Sequence, residues 1–379
     1  MANIVFYVLL ALLPTQLAYH FWPASAFVYG IRVDYLAPTI YLTDVLVVLL
    51  FVLSDAKKKF FSKKVLLLLL FALLNIYFSK SIEVSVYKWV KVFEMLFLGI
   101  YVAKNLTTKL FNNSIKILLY SSVTVSVIGI IQFIKLSTLG FPLNLLGERT
   151  FSASTPGVAL ASLFGQDFMR SYSTFSHPNS LAGFLGVMII LIFMFTKRKI
   201  TPIIKLGVLI ILICFLLTFS FSAFVSLFFV GAIALFVKNK RHFWKILALI
   251  VFVVFITGIA FPIFIPKGFV VADNTSERVI QRLELANVSG GLIKQNPIFG
   301  VGLGNFISTH WLLQPVHNII LLIFSEVGIF GVLIFYALIS SSIQRLKSKN
   351  LKTLALVTIF ILLTGSVDHY WLTLQQNML

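Results

Sequence analysis

Apolar runs of roughly 15–20 residues recur from one end of this chain to the other, and the short stretches between them hold most of its charge. A helix needs about 20 mostly apolar residues to cross a bilayer core, and runs of this length repeated so often leave few alternatives. A soluble domain is about 45–50% apolar and about 25% charged. This chain of 379 residues is 59% hydrophobic and 11% charged, more apolar surface than a soluble fold of this size can hide. Alternation of apolar and polar residues is absent, which argues against a β-barrel. The expected fold is all-α: a polytopic membrane bundle of about eleven transmembrane helices, forming one integral membrane domain over residues 1–379.

The spans are expected near 4–19, 36–53, 65–78, 87–103, 115–134, 180–195, 203–218, 221–237, 246–264, 317–338 and 353–372. The net charge is +19, which in a soluble protein would suggest nucleic acid. Here the basic residues cluster in every second loop: 54–64, 104–116, 196–205, 238–245 and 344–352. Twenty of the 31 Lys and Arg residues lie there. The positive-inside rule makes these loops cytoplasmic. The N-terminus then lies inside, and the two long loops, 135–179 and 265–316, lie outside. Ala24-Ser25-Ala26 looks like a signal-peptidase site, but Met1-Ala2-Asn3 supplies no basic leader, so the first span is expected to remain. The cytoplasmic loops are too short for a domain, so function is expected at the outer loops and the helix ends beside them.

The first outer loop ends in a polar run from Arg170 through His177, Pro178 and Asn179. Pro178 suits a helix start, and Asn179 or Ser180 can cap it. A polar helix start alone would explain these residues equally well. In the second outer loop, Thr275 or Ser276 can cap a helix running to about Lys294, amphipathic and suited to the interface. Arg278 and Arg282 are four apart and share one face. Paired guanidiniums suit phosphate oxygens; anchoring to lipid headgroups is the plainer use, and Glu277 and Glu284 can neutralise them.

Next comes Asn296-Pro297-Ile-Phe-Gly300-Val-Gly302-Leu-Gly304-Asn305. Its resemblance to a dinucleotide fingerprint is superficial, because no strand precedes it. The glycines better suit a tight turn that lets backbone approach a ligand or another helix; a phosphate nest is a weaker reading. His317-Asn318 opens the following span. Histidine serves as a general base near neutral pH, although a lone histidine at a helix start is more often structural. Helical spacing puts His317, Leu321, Phe324, Gly328 and Gly331 on one face, where the glycines admit a close helix neighbour. Glu326 points to the opposite face, about 13 Å deeper, and needs a partner. Lys91 and Glu94, three apart, are expected to pair. No two acidic residues are adjacent or one apart, the histidines lack ligand spacing, and Cys214 is the single cysteine. Neither metal nor cofactor is expected.

Three of these stretches together resemble the superfamily of O-antigen ligases and O-antigen polymerases. They are Arg170 through Asn179; Arg278 and Arg282 with the glycine run to Asn305; and His317-Asn318, nine residues, Gly328, two residues, Gly331. The similarity covers roughly residues 150–379. It implies glycan transfer from an undecaprenyl-diphosphate carrier to a glycan, lipid or protein acceptor, without a metal, on the outer face of the cytoplasmic membrane. It casts His317 as the base and Arg170, Arg278 and Arg282 as diphosphate ligands. His177, Asn179, Asn318, Gly328 and Gly331 take supporting places. Ligases and polymerases share these features. Relatives often carry an arginine where this chain has Ser220-Phe221-Ser222-Ala223, and they usually continue beyond the last span seen here. A transporter or flippase for lipid-linked glycans is the other reading, but transporters place their polar groups near the midplane, whereas here most stand at the outer rim.

Overall fold

The computed structural model describes residues 1–163, 166–195, 201–236, 274–344 and 348–379, and these are mostly helical. The N-terminal half contains α1 (Ala2–Leu12), α2 (Leu42–Leu53), a short α3 (Lys57–Phe60), α4 (Lys63–Tyr77), α5 (Ile82–Asn105) and α6 (Thr108–Lys135). Then come α7 (Pro178–Phe195), α8 (Pro202–Leu217), α9 (Phe221–Phe236), α10 (Asn274–Gln295), α11 (Ile319–Gln344), α12 (Ser348–Gly365) and two terminal turns, α13 (Tyr370–Thr373) and α14 (Gln375–Met378). The span expected at 246–264 and the basic loop at 238–245 lie outside the described residues.

Local chemistry sets the helix starts. Pro178 and Pro202 open α7 and α8, where a missing N–H costs nothing. Thr107 Oγ1 accepts the Leu110 N–H at 3.1 Å, and Asp44 accepts the Tyr41 N–H at 2.8 Å. Asn318 caps α11, its Oδ1 accepting from the Ile320 and Leu321 N–H groups at 2.9 and 3.1 Å.

Of the described helices, α6 is long and apolar enough to cross a membrane, and several others are apolar but shorter. The main core is built from α1, α2 and α5–α9 with α12, around Leu9, Leu50, Tyr101, Leu185, Met188 and Phe360. Gly186 lets the Phe360 ring against α7; a Cβ there would stand 2.2 Å from it. The outward faces are apolar too: Phe221 and Phe228 on α9 are 79% and 75% exposed, and α4 exposes Leu66, Leu67, Leu70 and Leu73. Exposed apolar faces of this extent mark a surface that meets lipid or protein rather than water.

Three antiparallel ribbons interrupt the helical plan: β1 (Ala18–His20) with β4 (Thr39–Tyr41), β2 (Phe27–Val28) with β3 (Ile31–Arg32), and β5 (Leu160–Leu163) with β6 (Gln166–Met169). They lie in loops and are two to four residues long, too short for alternation to show in sequence. A larger departure is the continuous helical face expected after His317. The helix begins at Ile319, and Gly328 sits inside it at φ 63°, ψ −170°, backbone open essentially only to glycine. The kink breaks the helical phase, so His317, Gly328 and Gly331 do not form one face.

Gly328 packs onto the Ile298 carbonyl, where a Cβ would stand 2.2 Å away. Gly300 reciprocates against the Glu326 backbone at 2.3 Å, Gly302 lies over Ser79, and Gly304 lies under the Lys88 stem. The glycine run is therefore a backbone-to-helix contact, the first of its two expected uses. Asn75 pins it. Its Nδ2 donates to the carbonyls of Phe299 and Glu326, and its Oδ1 accepts from Trp89 Nε1 and the Leu303 N–H.

Candidate functional site

The kink and glycine run hold the start of α11 beside α7, α10 and the chain's last residues. There these helix ends enclose a cavity of 590 Å³, within the usual range for ligand sites. Its wall includes His177, Asn179, Arg282, His317, Asp368 and His369. A second cavity of 460 Å³ is lined by Arg170, Ser220, Ser222, Phe221, Phe229 and Leu363, and it shares Asn179, Arg282 and Asp368 with the first. The two spaces therefore meet at one polar threshold.

A chain of hydrogen bonds organises that threshold. Arg170 donates through Nε to the Thr218 carbonyl and through an Nη to Asn179 Oδ1, both at 2.6 Å. Asn179 Nδ2 donates to Asp368 Oδ2 at 2.8 Å, while Asp368 Oδ1 takes the His369 backbone N–H at 2.8 Å. Asn179 is thus a bridge, and the expectation that it caps α7 is corrected. The His177 ring performs that task, its Nδ1 accepting the Asn179 N–H at 3.1 Å. Ser180, the other expected cap, hydrogen-bonds Asn377 instead.

His317 and His369 stand with ring centroids 5.1 Å apart. His317 Nδ1 is buried and has no hydrogen-bond partner among the described residues. His369 Nδ1 meets Thr373 Oγ1 at 2.8 Å. Burial pushes His177, His317 and His369 each down to about 4, against the pull of Asp368. All three are neutral at pH 7, the form in which an imidazole accepts a proton. Burial alone would raise Asp368, but the three histidines and the Asn179 amide together hold it below the ordinary aspartate value.

The sequence-derived residues separate into two groups. Arg170, His177, Asn179, Arg282 and His317 line the joined cavities. Arg278 lies one turn before Arg282 on α10, and its side chain is outside the described residues. Asn318, Gly328 and Gly331 do not face the cavities: Asn318 caps α11 and donates to the Ser366 carbonyl at 3.1 Å, and Gly331 packs near Phe71. Glu284 accepts from Trp311 Nε1 at 2.9 Å, so this carboxylate is engaged elsewhere. α10 covers the expected helix and buries Leu285 and Ala286 against Leu321 and Leu322 of α11, so it is docked as well as amphipathic. Glu326 accepts the Phe306 N–H at 3.3 Å and lines a separate cavity of 100 Å³ with Lys88. Lys91 pairs with Glu94 at 3.6 Å as expected, and more closely with Asp44.

Asp368, His369 and Tyr35 carry no motif that would have placed them here. The expected last span, 353–372, encloses Asp368 and His369; the helix ends at Gly365, and the polar pair Asp368-His369 inside that expected span is the one signal in sequence. Among the described residues, no group of three or more His, Cys, Asp or Glu is placed to hold a metal ion.

Fold and site define a largely helical protein with exposed apolar faces, one described helix long and apolar enough to cross a membrane, and a basic, histidine-bearing pocket at its helix ends. Residues 206–336 match the family model described as O-Antigen ligase, and this bears out the resemblance to the O-antigen ligase and polymerase superfamily. The match includes Arg278, Arg282, the glycine run and His317; Arg170, Asn179 and Asp368 lie beyond it. It supports an O-antigen ligase-like glycan transfer in surface polysaccharide assembly. No curated protein and no solved structure matches the chain.

Proposed function

We propose that this protein is a multi-pass glycosyltransferase of the cytoplasmic membrane. It moves a glycan from an undecaprenyl-diphosphate carrier to an acceptor hydroxyl on the outer face, with its N-terminus inside. The carrying observation is the joined pair of cavities: one holds neutral His317, the other holds Arg170, and Arg282 belongs to both. The alternation of basic loops supports the sidedness.

In this reading the lipid diphosphate lies at the threshold between Arg170 and Arg282, with Arg278 one turn away. Its apolar chain leaves along Phe221, Phe229 and Leu363 toward lipid. The acceptor enters the larger cavity. His317 takes the proton of the acceptor hydroxyl as its oxygen bonds to the anomeric carbon. The bond from that carbon to the phosphate oxygen breaks, and its electron pair leaves with the lipid diphosphate. Guanidiniums aimed at the departing oxygens stabilise the charge that grows there, so the reaction proceeds without a metal. Asp368 offsets the positive charge that His317 acquires, and Asn179 holds Asp368 and Arg170 in register.

The test is transfer from a lipid-diphosphate glycan pool by purified protein in nanodiscs containing EDTA. The wild type is expected to form product and His317→Ala is not; the product's size separates addition of whole chains from stepwise polymerisation. Equal product from both proteins would remove His317 from the chemistry, and loss of wild-type transfer in EDTA would remove metal independence.

A further inference from the structure

The larger cavity extends well past the histidines, and its far wall is also basic. Lys88 and Lys91 reach it from α5, and Arg149 reaches it from the loop after α6. These cations are not equivalent. Lys91 is neutralised by Asp44 and Glu94. Neither Lys88 nor Arg149 has a carboxylate within ion-pair distance among the described residues. Asp34 lies on the same wall but pairs with Arg32 at 3.7 Å. The carboxylate whose charge bears on Lys88 is Glu326, and it lies across the separate small cavity.

The Lys88 stem is held in place. It crosses Gly304, where a Cβ would stand 2.5 Å from Lys88 Cγ, and its ammonium sits 5.3 Å over the Tyr87 ring. Arg149 is exposed to the cavity. This wall is also distinct from the threshold. Arg282 lines both cavities and Arg170 the second, whereas Lys88 and Arg149 line the first and not the second. Tyr35 stands between, its ring 5.8 Å from His369. The cavity wall thus carries two sets of cations besides the histidines: Arg282, which it shares with the second cavity, and Lys88 with Arg149, which it does not share. A diphosphate held at the shared threshold leaves the second set unused, and cations facing a confined space favour an anion there.

We propose that Lys88 and Arg149 form a second anion subsite, which selects an acceptor saccharide bearing a carboxylate or phosphate group. The proposal rests on the glycan-transfer reading for the word acceptor; the subsite itself does not depend on turnover. Tyr35 and Tyr41 offer aromatic faces beside the cations, so one wall recognises both the ring and the charge of an acidic sugar.

The test is binding to the full chain in nanodiscs, using glucose, glucuronate, glucose 6-phosphate and inorganic phosphate as probes. Charged hydrogen bonds of this kind correspond to about ten-fold or more in affinity. Glucuronate and glucose 6-phosphate are expected to bind at least about ten-fold tighter than glucose. Lys88→Met, which keeps the stem over Gly304, and Arg149→Gln, at an exposed position, should each remove most of that preference. Arg170→Gln should keep it. Absence of binding by the anionic sugars, persistence of the preference in both wall variants, or its loss in Arg170→Gln would overturn the proposal. So would inorganic phosphate binding as tightly as glucose 6-phosphate, which would make the site a free-anion site. If the preference stood while no glycan transfer occurred, the transfer reading would fail and the subsite would remain.

Discussion

The two ends of one motif, His317-Asn318 and Gly328 with Gly331, behave in opposite ways. Around Gly328 the backbone is closely partnered: the Ile329 N–H donates to the Pro297 carbonyl and the Val301 N–H to the Ser325 carbonyl, both at 2.9 Å. The kink seats on the Ile298 carbonyl, the Glu326 carbonyl receives Asn75 Nδ2 and the Gly302 N–H, and the Gly300 backbone lies against the bend. Eleven residues earlier, His317 Nδ1 is buried beside a cavity and has no hydrogen-bond partner among the described residues. Buried polar groups are normally satisfied, and an exception asks for an explanation. The contrast separates two parts of the motif: a closely packed backbone joint at the kink, and a buried ring nitrogen that the proposed mechanism uses as its base.

Mutations at the two ends should distinguish these parts. The largest effect is expected from His317→Ala, which should lower kcat by about 10²–10⁴-fold, the usual contribution of a general base, with little change in thermal unfolding. Gly328→Ala and Asn75→Ala should do the reverse. Each is expected to cost roughly 1–3 kcal/mol of stability, from strained backbone or from buried groups left unpaired. Unfolding of the solubilised protein would show this, with kcat per folded molecule little altered.

Asp368→Asn comes next, with kcat lower by about ten-fold, the equivalent of one pKa unit of lost charge stabilisation. Its pH profile sharpens the point. With His317 near 4, kcat/KM for the wild type should stay level as pH falls from 7 and drop only as pH nears 4, where the imidazole becomes protonated. Removing the Asp368 charge takes away the attraction that favours protonated His317, so that limb should move to still lower pH. A limb near 6.5 in the wild type would mean that His317 is solvated in the working enzyme. The smallest effect is expected for Asn318→Ala, about 1 kcal/mol of stability from a lost helix cap, read from the same unfolding curves.

How much of this was readable in the sequence follows from how local each signal is. The helical character, the basic loops and His317 rest on composition and short spacings, and they were legible. So was α10, because its caps and apolar positions lie within one segment. The phase of α11 was misread because helical spacing assumes unbroken φ and ψ, and Gly328 takes a backbone that only its contact with Ile298 demands. Asn179 was misread for a related reason. Its neighbours suggest a cap, while its partners Arg170 and Asp368 are 9 and 189 residues away. Asn75 binds the glycine run more than 220 residues away and Asp368 binds Asn179 189 residues away, so no window of sequence announces these roles. The terminal turns depend on similar long-range pairing: Gln376 reaches the Pro14 and Thr174 carbonyls at 2.9 and 3.1 Å.

The most direct test of the division of labour is a side-by-side measurement of His317→Ala and Gly328→Ala in nanodiscs, recording turnover per folded molecule and the unfolding midpoint of each. His317→Ala is expected to melt with the wild type and to transfer almost nothing, and Gly328→Ala to melt earlier while its folded fraction still turns over. A His317→Ala protein that melts early yet keeps wild-type turnover per folded molecule would contradict it.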